Sequence, residues 1–103
     1  MAPNSRVRLD LNSPEFLSVF LQLPAAELQQ VAGALARLAG MDWQAVAASK
    51  GLHWEAIDHI PTPNGAKAHS VRLSGRIRAI AYRDGDFLRI VSLHPDHDSA
   101  YRR

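Results

Sequence analysis

A dense group of chemically reactive side chains lies near the C-terminus of this 103-residue chain, in the run His94-Pro95-Asp96-His97-Asp98-Ser99-Ala100-Tyr101. Imidazoles exchange protons near neutral pH, and a phenol can donate or accept a hydrogen bond at a reacting oxygen. His94, His97 and Tyr101 are therefore candidates for general acid-base catalysis. The plainer alternative is a polar terminus that is simply solvated or caps a final turn. We predict no metal here, because the run lacks the helical His-Glu spacing of zinc enzymes.

Arginines form a second group, spread over neighbouring strand-like segments and their turns: Arg72, Arg76, Arg78, Arg83 and Arg89. A guanidinium binds phosphate through a rigid fork of donors. Strand alternation places Arg72 on one face with Ser70, and Arg78 on one face with Ile80 and Tyr82. An arginine flanked by apolar and aromatic groups is expected to be partly buried and held in place. For Arg78, the structural alternative is an ion pair with Glu55 or an aspartate.

Three strand-like segments must position both groups, at Ala68 to Ser74, Ile77 to Arg83 and Phe87 to His94. The turn residues Gly75-Arg76 and Asp84-Gly85-Asp86 separate them, which predicts two tight antiparallel hairpins. Before them, Leu52 to Ile57 looks extended and Pro61 to Gly65 is predicted to be a loop.

The N-terminal half is predicted to be a strand followed by two or three helices. Arg6 to Leu11 alternates like a strand, and Ser13-Pro14-Glu15 has the cap, proline and acid that begin a helix. A second helix should run from Pro24 to Gly40, with Gly40 as a left-handed cap. Asp42 could cap a short third helix ending at Lys50-Gly51. The expected class is α+β, with the helices packed on one face of an antiparallel sheet.

Composition limits what the chain can be. Its length predicts a single domain over residues 1–103, and 47% hydrophobic residues are enough for a core without disulfides. There is no cysteine, and neither a signal peptide nor a bilayer-spanning apolar run is evident, so a cytoplasmic location is the default expectation. The glycines spell no phosphate-binding motif, so no nucleotide or other small-molecule cofactor is expected.

Charge is distributed unevenly along the chain. Residues 1–66 have four Lys/Arg against six Asp/Glu, whereas residues 67–103 have eight against four. A basic C-terminal half could attract a polyanion such as RNA, although a modest excess of this kind is also common on solvated sheets.

Residues 50–101 resemble the RelE/ParE superfamily of bacterial toxins. The resemblance rests on the runs Lys50 to Ile57, His69 to Ser74, Ile77 to Asp86 and Val91 to Tyr101, including a basic "RxL" strand and an "RAIAYR" strand. It implies a microbial ribonuclease-like sheet, an endoribonuclease that cuts translated mRNA on the ribosome, and a cognate antitoxin that blocks it. The toxin is expected to be monomeric within a larger toxin-antitoxin assembly.

The resemblance also implies roles for individual residues. Arg78 matches a strand arginine that would help to neutralise the scissile phosphate, and Tyr101 matches a C-terminal tyrosine near the reacting sugar. His94 and His97 stand where other members place terminal basic or histidine residues. Further RNA contacts are expected from the basic side chains of Lys67, Arg72, Arg76 and Arg83. RelE itself has a richer Lys/Arg set, and the histidines are closer to the HigB-like branch.

Two other functions stay open. ParE-like relatives use the same fold to inhibit DNA gyrase without cutting RNA. An inactive protein-interaction module is the third possibility, and it would be indicated if His94, His97 and Tyr101 pointed into the core.

Overall fold

The computed structural model describes residues 5–95, which form three α-helices and one five-stranded mixed sheet. In chain order the elements are β1 (Arg8–Asp10), α1 (Pro14–Phe20), α2 (Ala25–Ala39), α3 (Trp43–Ala48), β2 (Glu55–Ile57), β3 (Ala68–Arg72), β4 (Arg78–Asp84) and β5 (Phe87–His94). The predicted α+β class is confirmed, and so is the third helix.

The helices begin where the sequence indicated. The Ser13 hydroxyl accepts a hydrogen bond from the Phe16 backbone N–H, and Pro14 occupies the first helical turn of α1. The Asp42 carboxylate accepts a bond from the Ala45 backbone N–H at the start of α3. The expectation for Gly40 was only half right. It ends α2, but with φ −95° it is right-handed, so no left-handed cap is formed.

The strand order is β1-β5-β4-β3-β2. Strands β2 to β5 are antiparallel neighbours, as predicted, but β1 runs parallel to β5 with Leu9 opposite Leu88. The expectation of a wholly antiparallel sheet was therefore wrong at this edge. Three helices lie between β1 and the rest of the sheet along the chain, and such a long connection permits parallel pairing where a hairpin would not.

Strand ends differ from the predicted ones in two places. The segment from Leu52 begins in a turn, where His53 has φ 49°, and only Glu55–Ile57 forms a strand. Strand β3 ends at Arg72 and the Leu73 N–H donates to the Ile77 carbonyl, so the β3–β4 connection is longer than the predicted two residues.

One large core lies between the helices and one sheet face. Its helical part includes Val31, Ala34, Leu35 and Leu38, whose spacing aligns them on one side of α2. The sheet part comes from the strand residues Val71, Ala79, Ala81, Leu88, Ile90 and Leu93 and from Leu73 just after β3. We call the other side, which carries Ser70, Arg78, Ile80, Ser92 and His94, the open face.

Part of the open face is covered by the loop between β2 and β3. Ile60 from this loop packs with Val91 against a small cluster of the buried residues Ile57, Ala68 and Ile80. None of the helices within residues 5–95 has the length and apolar character needed to cross a bilayer.

Candidate functional site

The middle strands bring three of the predicted site residues into one row on the open face. Arg72 lies opposite Arg78 in the β3–β4 pairing, and Arg78 lies opposite His94 in the β4–β5 pairing. The Cα atoms of directly opposed residues in antiparallel strands lie about 4.5–5.5 Å apart. The sheet therefore aligns two guanidinium-bearing residues and one imidazole-bearing residue.

Arg78 is held deep in this row, with only 6% of its surface exposed. Its guanidinium Nη1 lies 3.4 Å from the hydroxyl of Ser70, which is itself fully buried. The sequence prediction of a partly buried arginine beside Ile80 and Tyr82 is thus confirmed. A guanidinium stays charged on burial, so Arg78 provides a fixed positive charge on this face.

His94 is positioned by a second buried serine. The Ser92 hydroxyl and His94 Nε2 are joined by a hydrogen bond of 2.9 Å, and Ser92 is 3% exposed. His94 itself is half-buried at the end of β5. One ring nitrogen is thus oriented by a residue on the same strand face, as an acid-base imidazole requires.

Sequence reasoning overlooked Ser70 and Ser92 as members of the site. Each lies two residues before a basic residue of the same strand, in Ser70-Val71-Arg72 and Ser92-Leu93-His94. Since side chains two apart share a strand face, this spacing was a usable signal.

Arg76 lies outside the row and contacts the end of the described chain. Its Nη1 donates to the Pro95 carbonyl at 2.7 Å, and its Nη2 lies 2.8 Å from a carboxylate oxygen of Glu27 in α2. The segment that carries His97 and Tyr101 starts immediately after Pro95. Arg76 therefore holds Pro95, the residue after which that segment begins.

Two predicted RNA-binding residues are placed away from the row. The Arg83 guanidinium lies 4.4 Å from the ring centre of Trp43, on the helix-packed side of the sheet. Lys67 precedes β3 and forms an exposed ion pair with Asp58. His97 and Tyr101 lie outside the described residues, so their predicted roles stay predictions.

The far end of the open face holds a compact ion network. Arg89 donates to Asp10 at 2.7 Å and to Asp84 at 2.9 Å, and its guanidinium lies 4.5 Å from the ring centre of Phe87. The hydrogen bond from Arg89, followed by one from the Asn12 backbone, lowers the pKa of Asp10 from its ordinary value of 3.8. Two carboxylates thus neutralise Arg89, although the sequence grouped it with the arginines that could bind phosphate.

Aromatic side chains stack on the other side of the sheet. Trp54 lies parallel to His69 at 4.2 Å and meets Trp43 edge to face at 5.6 Å. Burial lowers the pKa of His69. Trp43 is buried in the main core and Trp54 packs against it.

A depression of about 530 Å³ lies on the open face, and two of its lining residues, Ile80 and Ser92, are two positions from Arg78 and His94 on the same strands. It is lined by His59, Ile60, Pro61, Ile80, Val91 and Ser92. Among residues 5–95, no three His, Asp or Glu side chains are grouped closely enough to hold a metal ion.

No protein-family model, curated protein or solved structure matches this chain. The RelE/ParE resemblance of residues 50–101 accordingly stays a prediction, and the function has to be inferred from the geometry of the open face.

Proposed function

We propose that this protein is the toxin of a toxin-antitoxin pair, an endoribonuclease that cuts mRNA during translation on the ribosome. The observation that carries the proposal is the row Arg72, Arg78 and His94 on the open face. It combines phosphate-binding cations with an acid-base group on rigid strands. The RelE/ParE resemblance implies that the substrate is mRNA.

Side chains alone can supply the chemistry of RNA cleavage. A general base removes the proton of the ribose 2′-hydroxyl, and that oxygen attacks the adjacent phosphorus. The bond to the 5′ oxygen breaks, a general acid protonates it, and the products end in a cyclic phosphate and a free hydroxyl. We assign acid and base to His94 and His97 in an order left open, with Tyr101 orienting the nucleophile.

Arg78 has a separate role in this scheme. Negative charge grows on the phosphate oxygens as the phosphorus becomes five-coordinate, and a preorganised cation stabilises that charge most strongly where water is excluded. Burial of Arg78 and its contact with Ser70 favour this role. Arg72, half-buried at the end of β3, provides the second cation.

A protein partner is part of the proposal, because a cell must block such an enzyme. Among the described residues, Leu17 at 36% and Leu21 at 69% are the large hydrophobic side chains that remain exposed. Both belong to the first helix or the turn after it, so an antitoxin that contacts this helix would cover them.

The test is induced expression of the wild-type protein beside His94→Gln and His97→Ala, with transcript ends mapped while ribosomes are translating. We expect the wild type to cut mRNA within translated regions and both variants to lose cleavage while remaining folded. His53→Asn is the matched control, since His53 is exposed in the turn before β2 and asparagine tolerates its left-handed φ of 49°.

The other outcomes identify other functions. Intact transcripts with stalled replication would indicate gyrase inhibition. Harmless expression of a folded protein would indicate an interaction module, and equal cleavage by His94→Gln and wild type would remove His94 from the mechanism.

A further inference from the structure

The depression beside the basic row has the make-up of a small-molecule pocket. Its volume of about 530 Å³ falls within the roughly 300–1,000 Å³ typical of ligand sites. Its apolar lining consists of Ile80, which is 1% exposed, together with Ile60, Pro61 and Val91. Two lining residues are polar, the exposed His59 and the buried Ser92.

The pocket has a fixed position relative to the row. Ile80 and Ser92 lie opposite each other, two residues from Arg78 and His94 on the same strands. Two residues along a strand correspond to about 6.6 Å, and the side chains share a face. One ligand can thus contact both places, with a flat apolar part in the pocket and an anionic part at the basic row.

Ser92 connects the two places directly. It lines the pocket, and its hydroxyl is hydrogen-bonded to His94 Nε2. A group seated in the pocket is therefore next to the residue that orients the candidate acid-base imidazole.

We propose that this pocket binds the nucleobase next to the scissile phosphate and that His59 contributes to the choice of base. The inference rests on the proposed RNA-cleaving function. A base places a flat apolar face against Ile80, Ile60 and Pro61, while its polar edge meets the rim. The neighbouring phosphate is then directed towards Arg78.

His59 is suited to reading that polar edge. Its imidazole can donate from one ring nitrogen and accept at the other, so it can distinguish bases by their donor and acceptor patterns. It is also exposed on the loop between β2 and β3, and exchanging it should leave the core intact.

Binding can be tested without cleavage by methyl NMR on the full chain. The probe is a trinucleotide with 2′-O-methyl groups, which cannot be cut, compared with its abasic counterpart and with inorganic phosphate. We expect the methyl signals of Ile60 and Ile80 to shift only with the base-bearing probe. Ile77 and Ile90 lie in the main core and provide internal controls.

Variants then test the role of His59. We expect His59→Ala to weaken trinucleotide binding about fivefold, as for loss of one hydrogen bond, and to broaden the nucleotide preference at the cut position. His53→Asn is the matched control, because asparagine tolerates the left-handed φ of 49° at this position, and it should change neither. Equal shifts with the base-bearing and abasic probes, or an unchanged preference in His59→Ala, would overturn the proposal.

The two proposals fail in different ways. If the trinucleotide shifts Ile60 and Ile80 but translated mRNA is never cut, the base pocket stands and the ribonuclease function is wrong. If mRNA is cut but the probe leaves both methyl signals unmoved, the ribonuclease stands and the pocket is wrong.

Discussion

Arg78 and His94 are opposite residues in the β4–β5 pairing, on the side of the sheet that the helices leave free. One is buried against Ser70 and the other is bonded to Ser92. A fixed cation and an oriented imidazole thus lie on adjacent strands of a rigid sheet, where neither depends on a loop for its place. Such preorganisation is what stabilisation of a developing charge requires.

Arg78→Lys tests whether the guanidinium fork matters beyond its charge. Lysine keeps the positive charge but cannot reproduce the planar set of donors. We expect the cleavage rate to fall about 100-fold, the range seen when one transition-state donor is removed, with a smaller change in KM. Single-turnover cleavage on programmed ribosomes measures this effect. Arg37→Lys on the exposed side of α2 is the control, and equal rates for Arg78→Lys and wild type would show that the fork has no special role.

Arg76→Gln tests whether the segment after Pro95 must be held. The substitution removes both the bond to the Pro95 carbonyl and the ion pair with Glu27. Misplacement of catalytic groups by small distances is costly, so we expect cleavage to fall about 10- to 100-fold. Glu27→Gln should give a smaller loss, because Arg76 can still bond Pro95. If Arg76→Gln alters stability in urea but not the cleavage rate, the contact serves folding alone.

Much of the fold was predictable because helix caps and apolar spacing depend on residues that are close together in the sequence. Ser13 and Asp42 cap the helices they were expected to cap, and apolar spacing defined α2. The parallel pairing of β1 with β5 was not predictable, since it joins segments almost 80 residues apart and no turn between them specifies direction. The conformation of Gly40 was missed because glycine permits a left-handed cap without requiring one.

The site was only partly predictable for a related reason. Strand alternation correctly put Arg78 beside Ile80 and Tyr82, but it could not show which of the arginines would be neutralised. Arg83 lies over Trp43 and Arg89 binds two aspartates, and both partners come from contacts distant in sequence. Net charge counts such residues equally, although their availability to a phosphate differs.

The Asp10–Arg89 pair predicts a pH-dependent contribution to stability. Because the folded-state pKa of Asp10 lies below its ordinary 3.8, the stabilisation is present above that value and is lost as pH falls through the folded-state pKa. In Arg89→Gln we expect the Asp10 pKa to rise towards 3.8 and the urea midpoint at neutral pH to fall slightly, since the pair is partly exposed. Carboxyl NMR titration measures the pKa.

Lys67→Gln is the matched control for this pair, because its ion pair with Asp58 is largely exposed and should add little to stability. An Asp10 pKa that stays low in Arg89→Gln would assign the shift to the Asn12 backbone contact instead.

His69 also predicts a loss of stability as pH falls, but in a higher pH range than Asp10. Its ring is stacked on Trp54, and burial lowers its pKa below the ordinary 6.5, so the folded state resists protonation. Between the folded-state pKa and 6.5 the unfolded chain binds more protons, and stability therefore falls as pH falls below 6.5. We expect the urea midpoint, followed by tryptophan fluorescence, to be lower at about pH 5.5 than at about pH 7.5. His69→Phe keeps a flat ring against Trp54 without a titrating group, and its midpoint should vary less over the same window. The other histidines remain in that variant, so an undiminished pH dependence would assign the effect to them and not to His69.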